Sequence, residues 1–319
     1  MTSSQPEGRI VVTGGAGFIG AHLCSALLAR GDRVTAVDNL LTGRSAALDL
    51  LRQSEGFAFV EHDVTEPLEL EGPVRAVVHL AGLASPVAFF AMPLETLRVG
   101  SIGTLNVLEL ARAKEARFIL ASSSEVYGDP EQHPQKETYR GNVDPVGPRS
   151  AYDESKRFSE AATVAYRRHH GLDTGIVRPF NVYGPGMWPD DGRIVAAFSA
   201  AAIRGEPLRL HGDGKQTRSL CYVGDFVQGL IKMLDSDLAG PVNLGSADEA
   251  SVREIAELVV EISGTGKLEF LPARDQDVNL RRPDLTRARE DLDWEATTSL
   301  RDGLAQTVAW MREQLAGKE

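Results

Sequence analysis

At 319 residues, 42% of them hydrophobic and 25% charged, the chain is long enough to bury a sizeable core and too apolar to be disordered along its length. A formal net charge of −11 argues against general nucleic-acid binding, which relies on clustered Lys and Arg to release counterions from a polyphosphate. The opening MTSSQPEGR has no charged-then-apolar signal pattern, and no stretch approaches the roughly 20 apolar residues of a membrane span.

A soluble, cytoplasmic protein with neither a nucleic-acid nor a membrane partner is therefore expected. Cys24 and Cys221 lie in AHLCSALL and SLCYVGD, apolar contexts without disulfide or metal-ligand spacing. They read as core packing in a reducing compartment, and no metal is expected.

In chain order, RIVVT predicts a short strand, the glycine cluster a tight turn, and FIGAHLCSALLARG a helix with apolar residues at helical spacing and a glycine stop. DRVTAVD predicts a second strand ending at Asp38, and FAFVEHDV and VRAVVHLAG two more. TLNVLELARAKE predicts a packed helix through Leu105, Val107, Leu108 and Leu110, followed by a strand in ARFILASSS. Strands alternating with helices imply parallel neighbours joined by crossovers, with both faces covered. The expected fold is α/β: a doubly wound parallel sheet over residues 1–178, with a smaller C-terminal substrate-binding region over 179–319 interleaved with it. After TGIVRPFNVYGPG the chain becomes polar and rich in Pro and Gly, then offers amphipathic helices in SVREIAELVVEIS and SLRDGLAQTVAWMREQL. This second part is expected to cap the strand ends.

The stretch VVTGGAGFIG puts Gly14, Gly17 and Gly20 at a strand-to-helix turn, with Asp38 about twenty residues on. Glycines let backbone approach a pyrophosphate, and a helix N-terminus offers free amides and a positive dipole. The triplet alone also fits a mere tight turn. Asp38 adds a carboxylate that accepts from both ribose hydroxyls of NAD and repels a 2′-phosphate, so NAD is favoured over NADP. Arg44, close by in DNLLTGRS, would permit some NADP binding.

Tyr152 and Lys156 in SAYDESKR are four apart on a predicted helix and share one face. An ammonium beside a phenol favours the phenolate, which makes Tyr152 a candidate base for a sugar or alcohol hydroxyl. A solvated helix face gives the same spacing. Upstream, ASSSEVYGDP ends a strand on hydroxyls and then Glu125; the C-terminal edge of an open α/β sheet is where ligands bind.

The ordered motifs ARFILASSSEVYGDPEQHPQKETYRGNVDPVGPRSAYDESKR, RPFNVYGPGMWPDDGRIV, GKQTRSLCYVGDFVQGL and RRPDLTRARE resemble the extended short-chain dehydrogenase/reductase family, in particular its UDP-glucuronate decarboxylases. The similarity runs from about residue 9 to about residue 310. The resemblance implies resident NAD and a UDP-sugar substrate: C4 of the glucuronosyl ring is oxidised, the β-keto acid loses its carboxylate as carbon dioxide, and C4 is reduced again. It implies a cofactor site along Gly14, Gly17, Phe18, Ile19, Gly20, Asp38, Asn39, Gly43, Asp63, Val64, Leu80 and Ala81, completed by Tyr152 and Lys156. By position, Tyr152 would be the base for the C4 hydroxyl, Lys156 its electrostatic partner and a nicotinamide-ribose ligand, and Ser123 the hydroxyl bridging sugar and tyrosine. Glu125 would sit near C5, handling its proton or orienting a water. Arg281 would face the sugar carboxylate or the diphosphate. Ser124, Asn181, Arg193, Gln216 and Arg218 complete the implied substrate contacts.

Within that resemblance, the 4,6-dehydratases carry Asp-Glu where Ser124 and Glu125 stand, and a serine is a poor acid for a departing hydroxyl. The 4-epimerases carry a small or hydroxyl residue in place of Glu125. A UDP-sugar 4-epimerase is the alternative, and a non-catalytic NAD sensor, which should lack Ser123, Tyr152 or Lys156, is a second. Three positions depart from the expected pattern: Ser123 for threonine, His211 for a tyrosine near the uracil, and Gly100 for asparagine. Helices around 101–114 and 152–170 resemble the pair that forms the family's homodimer.

Overall fold

The computed structural model describes residues 8–273 and 281–316, so most of the N-terminal stretch read for a targeting pattern lies outside the described residues. Six strands between residues 9 and 179 build most of the sheet: β1 (Arg9–Thr13), β2 (Val34–Asp38), β3 (Phe57–Glu61), β4 (Val74–His79), β5 (Arg117–Ala121) and β6 (Thr174–Pro179). A seventh, Val242–Leu244, pairs with β6, and the spatial order from there is β6, β5, β4, β1, β2, β3. Every pairing is parallel. Central strands of such a sheet are covered on both faces and read as continuous apolar runs, as the almost wholly buried β1 and β4 do.

Residues beyond 179 thus contribute a strand to the same sheet. From β1 the chain moves outward to β2 and β3, then returns to β4 on the other side. Register puts Ile10 between Val34 and Ala76, and the reversal opens a crevice at the C-terminal ends of β1 and β4.

Helix α1 (Phe18–Ala29) follows the glycine turn. Helices α2 (Pro86–Ala91) and α3 (Pro93–Arg98) each start on a proline, whose missing amide costs nothing in a first turn. A five-residue π turn at Val99–Gly103 leads into α4 (Thr104–Ala113). The 21-residue α5 (Ser150–His170) then carries the chain back beneath the sheet. Beyond β6 come α6 (Ile194–Arg204), α7 (Val223–Leu234), α8 (Val252–Ser263), α9 (Thr286–Leu292) and α10 (Leu300–Ala316). Ser251 and Glu254 close α8 with a reciprocal capping box.

One core lies between the sheet and α1, α7 and α9; a second, with Val107, Leu108 and Ala162, lies under α4 and α5 on the opposite face. A third joins α6, α8 and α10 to the strand Pro207–His211. Among the described residues no helix is long and apolar enough to cross a membrane.

Candidate active site

The turn after β1 is shaped by close backbone approach. Gly14 has φ +70, and a Cβ there would lie 2.8 Å from the amide nitrogen of Ala81, at the end of β4. A Cβ on Gly20 would lie 2.1 Å from the Gly14 carbonyl oxygen, so α1 packs on the turn only because that side chain is missing. The first turn of α1 has neither a side-chain cap nor an acidic residue, leaving its amides for an anion. Asp38 is buried at the end of β2, and its two oxygens accept from the amides of Ala16 (3.0 Å) and Leu40 (2.9 Å). Burial raises its pKa while those amides pull the other way. Each oxygen retains a lone pair for a ribose hydroxyl. Gly43 lies against this carboxylate, and the Asn39 side chain donates to Asp63 (2.9 Å), itself held by Thr65. Val64 accepts through its carbonyl from Asn106 (2.9 Å). Phe18 sits edge-on to His22, with Ile19 packed on the core behind it. The turn, the uncapped amides and the ribose-ready carboxylate fit an adenine dinucleotide.

Arg44 is already engaged. Its guanidinium lies 3.2 Å from the centroid of the Trp188 ring, a cation–π contact tying the adenosine-side loop to the loop before α6.

Ser123 follows β5 and caps a short helical turn at Ser124–Tyr127, its hydroxyl accepting from the Glu125 amide at 3.1 Å. Tyr152 and Lys156 are both buried on α5, facing that strand end. The Tyr152 ring stacks on Phe89 of α2, centroids 4.9 Å apart. Burial pushes its phenol up to about 12, with the Ser123 hydroxyl and the Arg193 charge opposing. Burial is the dominant influence on this phenol. The Lys156 nitrogen donates to the Ala121 carbonyl (3.0 Å), and burial brings its own pKa down to about 8.

Glu125 lies between two guanidinium groups, Arg149 Nη2 at 2.7 Å and Arg281. Arg281 is buried and also donates to Gly128 O (2.9 Å) and Ser124 Oγ (3.3 Å). Burial alone would raise the Glu125 carboxyl. The charges and hydrogen bonds of Arg281 and Arg149 outweigh that and hold it below its ordinary value. Arg281 therefore meets the Glu125 carboxylate, rather than standing free for a diphosphate.

The other substrate-side candidates divide. Arg193 stands at the N-cap position of α6, where its charge acts on Tyr152, and is paired to Asp191 through Nε and Nη2. Asn181, at φ +40, donates to Ser219 O (3.2 Å) and fastens the end of β6 to the 217–221 segment. Gln216 donates to the His211 carbonyl (3.1 Å) and Arg218 to Thr217 O (2.8 Å), in a separate segment alongside residues 249–251. Among the described residues no group of three or more His, Cys, Asp or Glu is arranged to hold a metal ion.

Behind the site runs a buried polar chain: Thr13 Oγ1 to His79 Nδ1 (2.7 Å), His79 Nε2 to Thr104 Oγ1 (3.3 Å), and Thr104 to Ser159 (3.0 Å). It links β1, β4, α4 and α5. Burial, with Lys156 nearby, brings His79 down to about 3, so its imidazole is neutral. The carbonyl of Gly100 accepts from both Thr104 (2.9 Å) and Ser159 (2.8 Å), and a Cβ on Gly100 would lie 2.5 Å from Ser155 Cβ. The asparagine expected at this position has no room. The departure is one of helix packing, bringing the π turn hard against α5.

Residues 10–245 match the NAD dependent epimerase/dehydratase family. The chain belongs to that family. It is 48% identical over 312 residues to UDP-glucuronic acid decarboxylase 1 of Arabidopsis thaliana, covering 98% of this chain and 71% of that protein. Among solved structures, the UDP-glucose 4-epimerase of Thermotoga maritima with UDP-glucose superposes with a TM-score of 0.87 at 30% identity, covering 96% of this chain and 99% of that one. A dTDP-glucose 4,6-dehydratase from Streptomyces venezuelae with NAD bound gives 0.87 at 29% identity, covering 97% and 98%.

In this member of the epimerase/dehydratase family, two contacts escaped the sequence reading. Arg149 stands three residues before Tyr152, a spacing that places both on neighbouring positions of one helical face and could have flagged it. Phe89 had no such signal. It meets Tyr152 through the packing of α2 on α5, with the Arg149 guanidinium 5.4 Å from its ring centre.

Proposed function

We propose that the chain is an NAD-dependent UDP-glucuronate decarboxylase that converts UDP-glucuronate to UDP-xylose and carbon dioxide. The observation that carries the reading is 48% identity, over 98% of this chain, to a UDP-glucuronic acid decarboxylase. What supports it in the site is a serine followed by an ionised glutamate between two arginines.

When bound, NAD supplies a hydride acceptor at C4 and gives the hydride back. Tyr152 takes the proton of the C4 hydroxyl, and Lys156 holds positive charge beside the cofactor crevice. Ser123 bridges the sugar and the phenol. Glu125 manages the proton at C5, while Arg149 and Arg281 keep positive charge near the developing enolate, where fixed charge acts without reorganisation. Ser124 is too weak an acid to expel a hydroxyl as a dehydratase must. The glycine turn, with Gly14, Gly17, Phe18, Ile19, Gly20, Asp38, Asn39, Gly43, Asp63, Val64, Leu80 and Ala81, holds the dinucleotide. Residues 179–319 form the nucleotide-sugar region, with Asn181, Arg193, Gln216 and Arg218 toward the diphosphate and Arg281 toward the sugar.

The protein works as a homodimer in the cytoplasm. Support for the dimer is the line of exposed apolar side chains Phe90, Leu94, Leu97, Ile102 and Phe158 across α2 to α5. Support for the compartment is two buried free thiols, Cys24 pushed up to about 12 and Cys221 raised as well by burial.

The second reading is a UDP-glucuronate 4-epimerase, favoured by likeness to an epimerase structure. Incubation with UDP-glucuronate and NAD separates the two: gas and UDP-xylose support decarboxylation, whereas UDP-galacturonate without gas supports epimerisation.

A further inference from the structure

Arg281 reaches Glu125 from a stretch, residues 281–285, that forms neither helix nor strand. That stretch is gripped by Gln135, which is 1% exposed and lies in the loop between the Ser124–Tyr127 turn and α5. The Gln135 amide donates to the Arg282 carbonyl (2.9 Å), and the Gln135 carbonyl accepts from the Asp284 amide (2.8 Å). Its side-chain Oε1 accepts from the Arg282 amide (2.9 Å), so a parallel bridge between Gln135 and Pro283 is doubled by the side chain. Gln135 Nε2 donates to the Gln132 carbonyl (2.6 Å). Turned over, the side-chain amide would set donor against donor at Arg282 and acceptor against acceptor at Gln132, so one orientation is fixed. Asn243, in the strand beside β6, braces the pair: its Nδ2 donates to the Gln135 carbonyl (3.0 Å) and to the Asp284 carbonyl (3.1 Å).

Arg281 stands one residue before this grip. Its guanidinium ends on the turn after β5, at Glu125, Ser124 Oγ (3.3 Å) and Gly128 O (2.9 Å). Gly128 in turn bridges Asn142 and closes the mouth of the loop that carries Gln135. One loop therefore holds Arg281 from both ends, by the backbone that follows it and by its guanidinium. We propose that Gln135 is a positioning residue for decarboxylation: by holding the backbone of Arg282 and Asp284 it sets the Arg281 guanidinium on Glu125. The inference rests on the decarboxylase reading, in which that pair serves the chemistry at C5. Gln135 acts through Arg281, so oxidation at C4, which belongs to Tyr152, should not depend on it.

Single-turnover mixing of the NAD-loaded protein with UDP-glucuronate separates the two stages, NADH absorbance reading oxidation at C4 and evolved carbon dioxide reading decarboxylation. Gln135→Met keeps the length of the side chain and removes both of its hydrogen bonds. It should form NADH within about twofold of the wild-type rate and release carbon dioxide about ten- to a hundredfold more slowly, the cost of a small misplacement of a reacting group's partner. Arg281→Met should slow the same step. Adding Gln135→Met to it should slow gas release by no more than about a further twofold, because the guanidinium that Gln135 positions is already gone. In the wild-type protein the Arg282 amide, bonded to a buried oxygen, should exchange with deuterium about a hundredfold or more slowly than in an unfolded chain.

Exchange of that amide at the unfolded-chain rate overturns the assignment even if the variants do not fold. Gas release at the wild-type rate in Gln135→Met overturns it too. So does equal slowing of NADH formation and gas release, or a loss that multiplies in full with that of Arg281→Met, either of which marks a general structural role. Absence of carbon dioxide from the wild-type protein overturns the decarboxylase reading itself, a failure distinct from normal gas release with an unprotected Arg282 amide.

Discussion

Replacing Glu125 with glutamine keeps the shape of the side chain and removes its charge. The ion pair to Arg281 is the deeper one, since that guanidinium side chain is 5% exposed, against 32% for Arg149. Removing one partner of a buried pair costs about 3–5 kcal/mol. The glutamine carbonyl still accepts one bond, and Arg281 keeps its bonds to Gly128 and Ser124, so about 2–3 kcal/mol is expected for Glu125→Gln. The more exposed Arg149 pair adds little. At about 2 °C per kcal/mol for a chain of this size, Tm should fall by about 4–6 °C at neutral pH.

The sign of the pH dependence follows from the depressed Glu125 pKa. Its stabilisation is present above the unfolded carboxyl value of about 4.3 and is lost as pH falls through the lower folded value, so the gap between variant and wild type should close in acid. Thermal melts at neutral and acid pH, with turnover alongside, make the assay. Turnover should drop by about a hundredfold or more while NAD affinity stays unchanged. A Tm within about 1 °C of wild type together with unchanged turnover would return Glu125 to the class of solvated loop residues.

Tyr152→Phe should bind NAD normally yet form no enzyme-bound NADH when UDP-glucuronate is added; NADH formation at the wild-type rate would refute its role as base. Gly100→Asn should lower stability by about 1–3 kcal/mol, because the new side chain must displace Ser155, and a melt unchanged from wild type would show that α5 is not tightly set there. Asp153 is the reverse of Glu125. With its folded pKa raised to about 7, its stabilisation is complete below the unfolded value of about 3.9 and is lost as pH rises through 7. Between about pH 5 and about pH 8 the stability of Asp153→Asn should therefore gain on wild type by on the order of 3 kcal/mol, and parallel melting curves across that range would contradict the raised pKa.

Where chemistry depended on local spacing, it was legible from the residues. The apolar run before Gly14 becomes β1, Asp38 ends β2, and Tyr152 and Lys156 share α5, because periods of two and of 3.6 leave plain traces. The strand Val242–Leu244 is too short to show a period, yet it completes the sheet beside β6. Contacts made by distant segments left no local trace. Arg281 reaches Glu125 across 156 positions of sequence, Arg44 meets Trp188 only once the C-terminal region folds over the turn, and Phe89 reaches Tyr152 by helix packing. Burial had the largest unseen effect. It pushes the Tyr152 phenol up to about 12 and the Lys156 ammonium down to about 8, shifts that spacing alone does not carry.

The central claim is the reaction, and NMR of the protein incubated with NAD and UDP-glucuronate labelled at the carboxylate carbon reads it directly. Decarboxylation predicts labelled carbon dioxide and UDP-xylose in equal amounts with no net change in NAD; label retained in a UDP-galacturonate product, with no gas, would contradict it.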